Sequence, residues 1–237
     1  MIARDEGTQV AQHEKSYLQH FGDHLRDEAA RRGVRFQCFD MDAQDRKALA
    51  DMIFTNYDYF VLVEGKNSEK EIVRERRKLE RVTRLCRGLT DDPAMLRLHD
   101  TCHFITWRDS QSTKLELDIY RSQVCTASVL GTTCELPPPH SGSRKPFRLS
   151  TFSTGFFHTP PPPQYAIDRS DFEVYVHWLV TTVTAGDSSE VELVGQKCDE
   201  EGDIVSVMLP SLADVYQLLD EHRNSPSSSY GFEMDGP

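Results

Sequence analysis

Three charged side chains stand where two apolar runs meet, and their types suit phosphate-ester chemistry. Asp51 lies near the head of ADMIFT (50–55), and Glu64 and Lys66 close the run that begins at Phe60. If the two runs pair antiparallel through a two- or four-residue connection around Asn56 to Tyr59, Asp51 falls opposite Glu64. Side chains alternate along a strand, so Glu64 and Lys66 share a face about 7 Å apart. Directly opposed residues point the same way, which brings Asp51 to them. A three-residue connection would shift the register by one and separate the group. Mg²⁺ takes oxygen ligands in octahedral array, typically one or two carboxylates, waters and a substrate phosphate. Asp51 and Glu64 would hold such an ion, with Mn²⁺ able to substitute. The carbonyl of Gly65 at the strand end would add a third protein oxygen. Lys66 would orient the attacking water, favour its deprotonation or neutralise the charge that develops on phosphorus.

The elements that must position these residues follow from periodicity. Val10, Tyr17, Leu18, Phe21, Leu25 and Ala29 recur at helical steps over 9–32, with Gly33 as the stop. VRFQCFDM (34–41), ADMIFT and FVLVEG (60–65) read as three strands. Ser68 with Glu71 forms a capping box that opens a helix to Arg87-Gly88, with Ile72, Leu79, Val82 and Cys86 inward. A turn or short helix starts at Asp91-Asp92-Pro93, and CHFITW (102–107) is a further strand. The segment 1–110 is therefore expected to form an α/β core of helix, three-stranded antiparallel meander, helix and strand, and 111–134 to add strands. Proline and serine enrichment marks 135–165 as a linker or long loop. The stretch 166–224 reads as an acidic C-terminal α/β portion: a helix capped at Ser170, a hairpin over 190–209 and a final helix from Pro210. Residues 225–237 read as a flexible tail.

Asp51 followed thirteen residues later by Glu64-Gly65-Lys66, set in that element order, resembles the PD-(D/E)xK nuclease superfamily. The resemblance covers under half of the chain. It implies a restriction-endonuclease-like fold, a Mg²⁺-dependent endonuclease activity, Asp51 and Glu64 as metal ligands and Lys66 as the catalytic lysine. Many members add a glutamate from the first helix, and Glu14, on the apolar stripe between Val10 and Tyr17, matches that place. Gly65 stands where the family often has an aliphatic residue, Ala50 where it has proline, and no Q-x-x-x-Y follows.

On the helix after this motif, Lys70, Arg74, Arg77, Arg81 and Arg84 fall within an arc of about 80° at α-helical spacing. Such a row would track a phosphate backbone without reading bases. Each feature also has an ordinary reading. Glu64-Gly65-Lys66 can also be read as a charged strand exit and Asp51 as a strand-start residue bonded to a nearby amide, and Glu14 is equally a surface carboxylate. The basic row is equally a solvated face paired with Glu69, Glu71, Glu75 and Glu80. His99 and His103 read as satisfied or exposed histidines rather than metal ligands.

The net charge of −11 is unevenly spread: residues 1–110 hold 19 basic and 20 acidic side chains, and 111–237 hold 8 and 18. A phosphate-binding first half thus remains open, and the acidic half offers a surface for a protein partner or an autoinhibitory mimic of DNA. DNA ranks ahead of RNA as the expected substrate, a homodimer is admissible, and a nuclease-like module that no longer cuts is the alternative. No P-loop, G-x-G-x-x-G or G-x-S-x-G is present. No apolar run nears the roughly 18 residues of a membrane span. Six cysteines without a C-x-x-C pair are expected to be free thiols in a cytoplasmic protein, or a nuclear one in a eukaryote.

Overall fold

The computed structural model describes residues 6–41, 49–112, 114–136, 146–185, 193–198 and 204–224. Helix α1 (Glu6–Arg32) stops at Gly33, whose φ of +64° is left-handed, and the Val34 amide bonds back to the Ala29 carbonyl. Strands β1 (Gln37–Asp40), β2 (Met52–Thr55) and β3 (Tyr59–Lys66) then form an antiparallel meander. The β2–β3 turn is built by Asn56, whose side-chain oxygen accepts from the amides of Asp58 and Tyr59. Its length places Thr55 against Phe60 and Met52 against Val63, the register the sequence predicts.

After β3 the chain crosses through α2 (Glu69–Ile72), a 3₁₀ helix (Val73–Lys78), α3 (Leu79–Asp91) and α4 (Pro93–Cys102). It returns as β4 (His103–Arg108), parallel to β3. Asp92 caps α4 by accepting from the Ala94 and Met95 amides. Strand β5 (Leu115–Ile119) pairs antiparallel with β4 and leads into two short helices, α5 (Tyr120–Val124) and α6 (Ala127–Leu130).

Alternation along β3 divides the core. Val61 and Val63 face α1 through Leu18, Phe21 and Leu25. Phe60 and Leu62 face the other way, onto Val82, Leu85 and Leu89 of α3 and onto α8 (Arg169–Thr184). Helices thus cover both faces of a mixed sheet, an α/β architecture.

Several expectations are corrected. The stretch 135–165 is not simply a linker: β6 (Phe147–Arg148) pairs with β5, and α7 (Leu149–Phe156) buries Phe152 and Phe156 against Phe21 and Phe104. The acidic portion is not set apart either. Strand β7 (Ile167–Asp168) pairs with β3, β8 (Leu193–Cys198) pairs with β1, β9 (Ile204–Leu209) continues the sheet, and α9 (Leu212–Asn224) packs on it. The cap of α8 is Asp168, which accepts from the Asp171 amide, and not Ser170. Ser68 occupies the cap position of α2 without a side-chain capping bond. Cys86 and Cys125 form a disulfide rather than free thiols, while Cys38, Cys102 and Cys134 are free. No helix among the described residues is long and apolar enough to cross a membrane. The predicted tail, 225–237, lies outside the described residues.

Candidate active site

The charged group gathers at the end of β2 and β3. Asp51 steps off the regular ladder: its amide bonds the Val63 carbonyl, and its own carbonyl accepts from the Met41 amide. Its carboxylate Oδ2 then accepts from the Gly65 amide at 2.7 Å, taking the place of a strand carbonyl where β2 has ended. Glu64 and Lys66 leave β3 on the face of α3, as alternation requires. Their exposures are 1% and 8%, so both are inside the protein, whereas Asp51 keeps partial contact with solvent.

Burial of ionised groups demands partners. Lys66 Nζ lies 2.5 Å from Glu64 Oε1 and 3.0 Å from Glu75 Oε1. Lys78 Nζ lies 2.9 Å from the same Glu64 oxygen and 3.5 Å from Glu75 Oε1. The Tyr120 hydroxyl donates to Glu75 Oε2 at 2.7 Å and fixes the rotation of that carboxylate. Glu64 and Glu75 therefore balance Lys66 and Lys78 within one cluster.

The electrostatic consequences differ between the two strand carboxylates. Burial raises the Glu64 pKa, but the nearby Lys66 and Lys78 outweigh it and hold the group down at about 2. Asp51 is pushed up to about 8, first by desolvation and then by the Glu64 charge, with Lys66 and the Gly65 amide opposing only in part. It is therefore largely protonated at neutral pH. Lys66 is raised well above its ordinary value, because the Glu64, Glu75 and Asp51 charges overcome its burial. It remains a cation at every physiological pH.

A second buried polar chain holds the approach to Asp51. His103 Nε2 meets the Leu49 carbonyl at 2.9 Å, and the Tyr175 hydroxyl lies 2.8 Å from His103 Nδ1 and 2.6 Å from His99 Nδ1. The Arg121 amide donates to His99 Nε2. A carbonyl only accepts and an amide only donates, so one assignment satisfies every atom. His99 Nδ1 donates to the Tyr175 oxygen, the Tyr175 hydroxyl donates to His103 Nδ1, and His103 Nε2 donates to Leu49. Burial keeps both imidazoles neutral, His103 at about 4 and His99 well below its usual value. Leu49 has a φ of +53°, and the His103 bond helps fix that left-handed turn two residues before Asp51. His103 also stacks on Tyr120, with ring centroids 4.6 Å apart, which joins this chain to the ionic cluster.

Asp51, Glu64 and Lys66 are thus brought together. Gly65 is not at a frayed strand end: it is buried, pairs with Thr106 of β4, and gives its amide to Asp51. A Cβ there would sit 2.7 Å from two carbons of Leu18, so the close approach of α1 requires glycine. Glu14 lies in α1, on the sheet face opposite Glu64 and Lys66, and its side chain is outside the described residues.

The predicted basic row is not one face of one helix. Over Val73–Lys78 the chain is 3₁₀, with three residues per turn, so α-helical spacing does not hold across Lys70, Arg74, Arg77, Arg81 and Arg84. Arg74 pairs with Glu71, and Arg84 pairs with Glu80 and donates to the Val183 carbonyl of α8. Lys70 and Arg77 are exposed. Leu79, expected inside, is 39% exposed.

The same 3₁₀ turn carries Glu75 and Lys78, which the sequence reading missed. Three residues per turn aligns Ile72, Glu75 and Lys78 on the inward side. A period-three pattern in that stretch was the available signal. Tyr120 had none, since it arrives from beyond β5.

Asp51 and Glu64 are oxygen donors of the kind a hard divalent cation takes. Glu64 Oε2 is buried without a hydrogen-bond partner, and Asp51 beside it has a proton to give up. Comparison with known protein families, with characterised proteins and with solved structures found no match.

Proposed function

We propose that the protein is a metal-dependent nuclease that hydrolyses phosphodiester bonds, with DNA ahead of RNA as substrate. The observation that carries this reading is the buried, unpartnered Glu64 Oε2 beside Asp51 and Lys66. The element order supports it too: a helix, an antiparallel meander, a helical crossover and a strand parallel to β3 suit a restriction-endonuclease-like core.

Asp51 and Glu64 would hold a Mg²⁺ or Mn²⁺ ion, which supplies Lewis-acid activation of water and phosphate. Asp51 must lose its proton to do so, and its partial exposure gives that proton a route to solvent. Lys66 is too firmly protonated to act as a general base. Its role is to place a fixed positive charge beside the phosphate oxygens. Glu75, locked by Tyr120, and Lys78 hold Lys66 in position. The test is incubation of plasmid and linear DNA with the full chain in Mg²⁺ or Mn²⁺. Wild-type cleavage that is lost in Asp51→Ala and Lys66→Ala supports the assignment, and undiminished cleavage by those variants refutes it.

A second reading has its own observation: the cluster is closed and balances its own charge, as a purely structural ion network would. The protein would then be a nuclease-like interaction module that does not cut. Calorimetry separates the two readings: Mn²⁺ binding that is lost in Asp51→Ala favours the nuclease, and a chain that takes up no Mn²⁺ favours the module. An autoinhibitory acidic arm is less favoured, since residues of the acidic half complete the sheet and cover α3.

A further inference from the structure

Away from the carboxylates, three sulfurs converge. Cys86 is buried on α3, Cys125 caps the end of α5, and Cys134 follows α6. Cys86 and Cys125 are joined as a disulfide, and the Cys134 sulfur completes a group in which all three lie within 4.8 Å of one another. Cys125 and Cys134 are both partly exposed. Chance placement of a free thiol beside a disulfide is unremarkable on a surface, but here each sulfur comes from a different element. All three pack into the same apolar cluster.

We propose that Cys86, Cys125 and Cys134 form a thiol–disulfide exchange centre. Cys134, as the thiolate, attacks one sulfur of the Cys86–Cys125 bond. A new S–S bond forms, the old one breaks, and its electron pair leaves on the other sulfur, which takes a proton from solvent. One thiol and one disulfide enter and one of each leaves, so no oxidant or reductant is consumed.

The position of the bond matters to the fold around Glu75. Helix α3 continues directly from the 3₁₀ turn that bears Glu75 and Lys78, and α5 begins with Tyr120, the donor to Glu75. The Cys86–Cys125 form ties those two sides together. Arg76, donating to the Ser128 and Val129 carbonyls, ties the same corner through α6. Transfer of the bond to Cys134 releases one side and fastens the other to the segment after α6. The exchange chemistry needs only the sulfur geometry and does not rest on the nuclease reading.

The test uses the full chain equilibrated in a glutathione redox buffer, trapped with N-ethylmaleimide, digested and mapped without reduction. Bound zinc is measured on the same sample. The wild type is expected to yield the Cys86–Cys125 linkage together with a linkage containing Cys134. Cys134→Ser should yield Cys86–Cys125 alone, and Cys125→Ser should yield Cys86–Cys134. Cys86→Ser, expected to yield Cys125–Cys134, is the second probe should the first variant fold poorly. The proposal is overturned if wild-type Cys134 is always alkylated and neither single variant forms a Cys134 linkage. It is equally overturned if all three cysteines are alkylated, or if they hold one equivalent of zinc as thiolates.

Discussion

Asp51 gives the sharpest test, because its protonation has a sign that few surface carboxylates share. Its pKa rises from 3.8 to about 8 on folding. The folded state therefore binds a proton that the unfolded state has already lost, and the stability this proton provides is complete below pH 3.8 and drains away as pH rises to 8. At about 1.4 kcal/mol per pH unit, the full window amounts to roughly 6 kcal/mol. Between pH 6 and 8 the share is about 2 kcal/mol, reduced to about 1 because Asp51 keeps partial contact with solvent. Asp51→Asn has the shape of the protonated acid, can still accept from the Gly65 amide, and does not titrate. Urea denaturation of both proteins in EDTA, at pH 6 and pH 8, isolates the effect, since other groups cancel in the difference. The wild type should lose about 1 kcal/mol relative to Asp51→Asn over that interval. Adding Mn²⁺ at a hundred times its Kd should restore the wild type by about 2.7 kcal/mol, with a smaller gain in the variant. A difference that is flat with pH, or that favours the wild type at pH 8, would refute the protonated Asp51.

Three further perturbations probe its surroundings. Tyr120→Phe leaves Glu75 Oε2 buried without a donor and should cost about 1–3 kcal/mol in urea denaturation; a loss below about 0.5 kcal/mol would show that the hydroxyl does not support the cluster. His99 and His103 are neutral in the fold and titrate nearer pH 6.5 when unfolded, so wild-type stability should fall as pH drops from 6.5 towards 4. His103→Gln should flatten that fall, and an unchanged slope would count against the chain. Gly65→Ala should cost about 1–3 kcal/mol by forcing its Cβ onto Leu18, and Leu18→Ala in the same chain should recover part of the loss. Additive effects in that double mutant would place the strain elsewhere.

The legible part of the site was the part set by local rules. Strand alternation and the length of the Asn56 turn determine the β2–β3 register, so Glu64, Lys66 and the neighbourhood of Asp51 could be read from a single hairpin. Alternation along β3 also separates the two cores, and helical periodicity marks the inward residues of α1. What escaped was non-local or of the wrong period. Phe147, Phe152 and Tyr165 lie in a proline- and serine-rich stretch, yet they stack on one another against Phe104, and composition averaged over thirty residues hides aromatic anchors. The segment Val73–Lys78 has the composition of a solvated helix, so Glu75 reads as a flanking partner of the basic row, although even at about 100° per residue it falls between Val82 and Cys86 on the inward side. Glu64 and Lys66 form a buried pair whose further contacts come from Lys78 and Glu75, and three residues per turn sets those two side chains on the same inward side. Lys78, Glu75 and Tyr120 thus reach Glu64 and Lys66 only through contacts between the crossover, β3 and α5, which no single element shows.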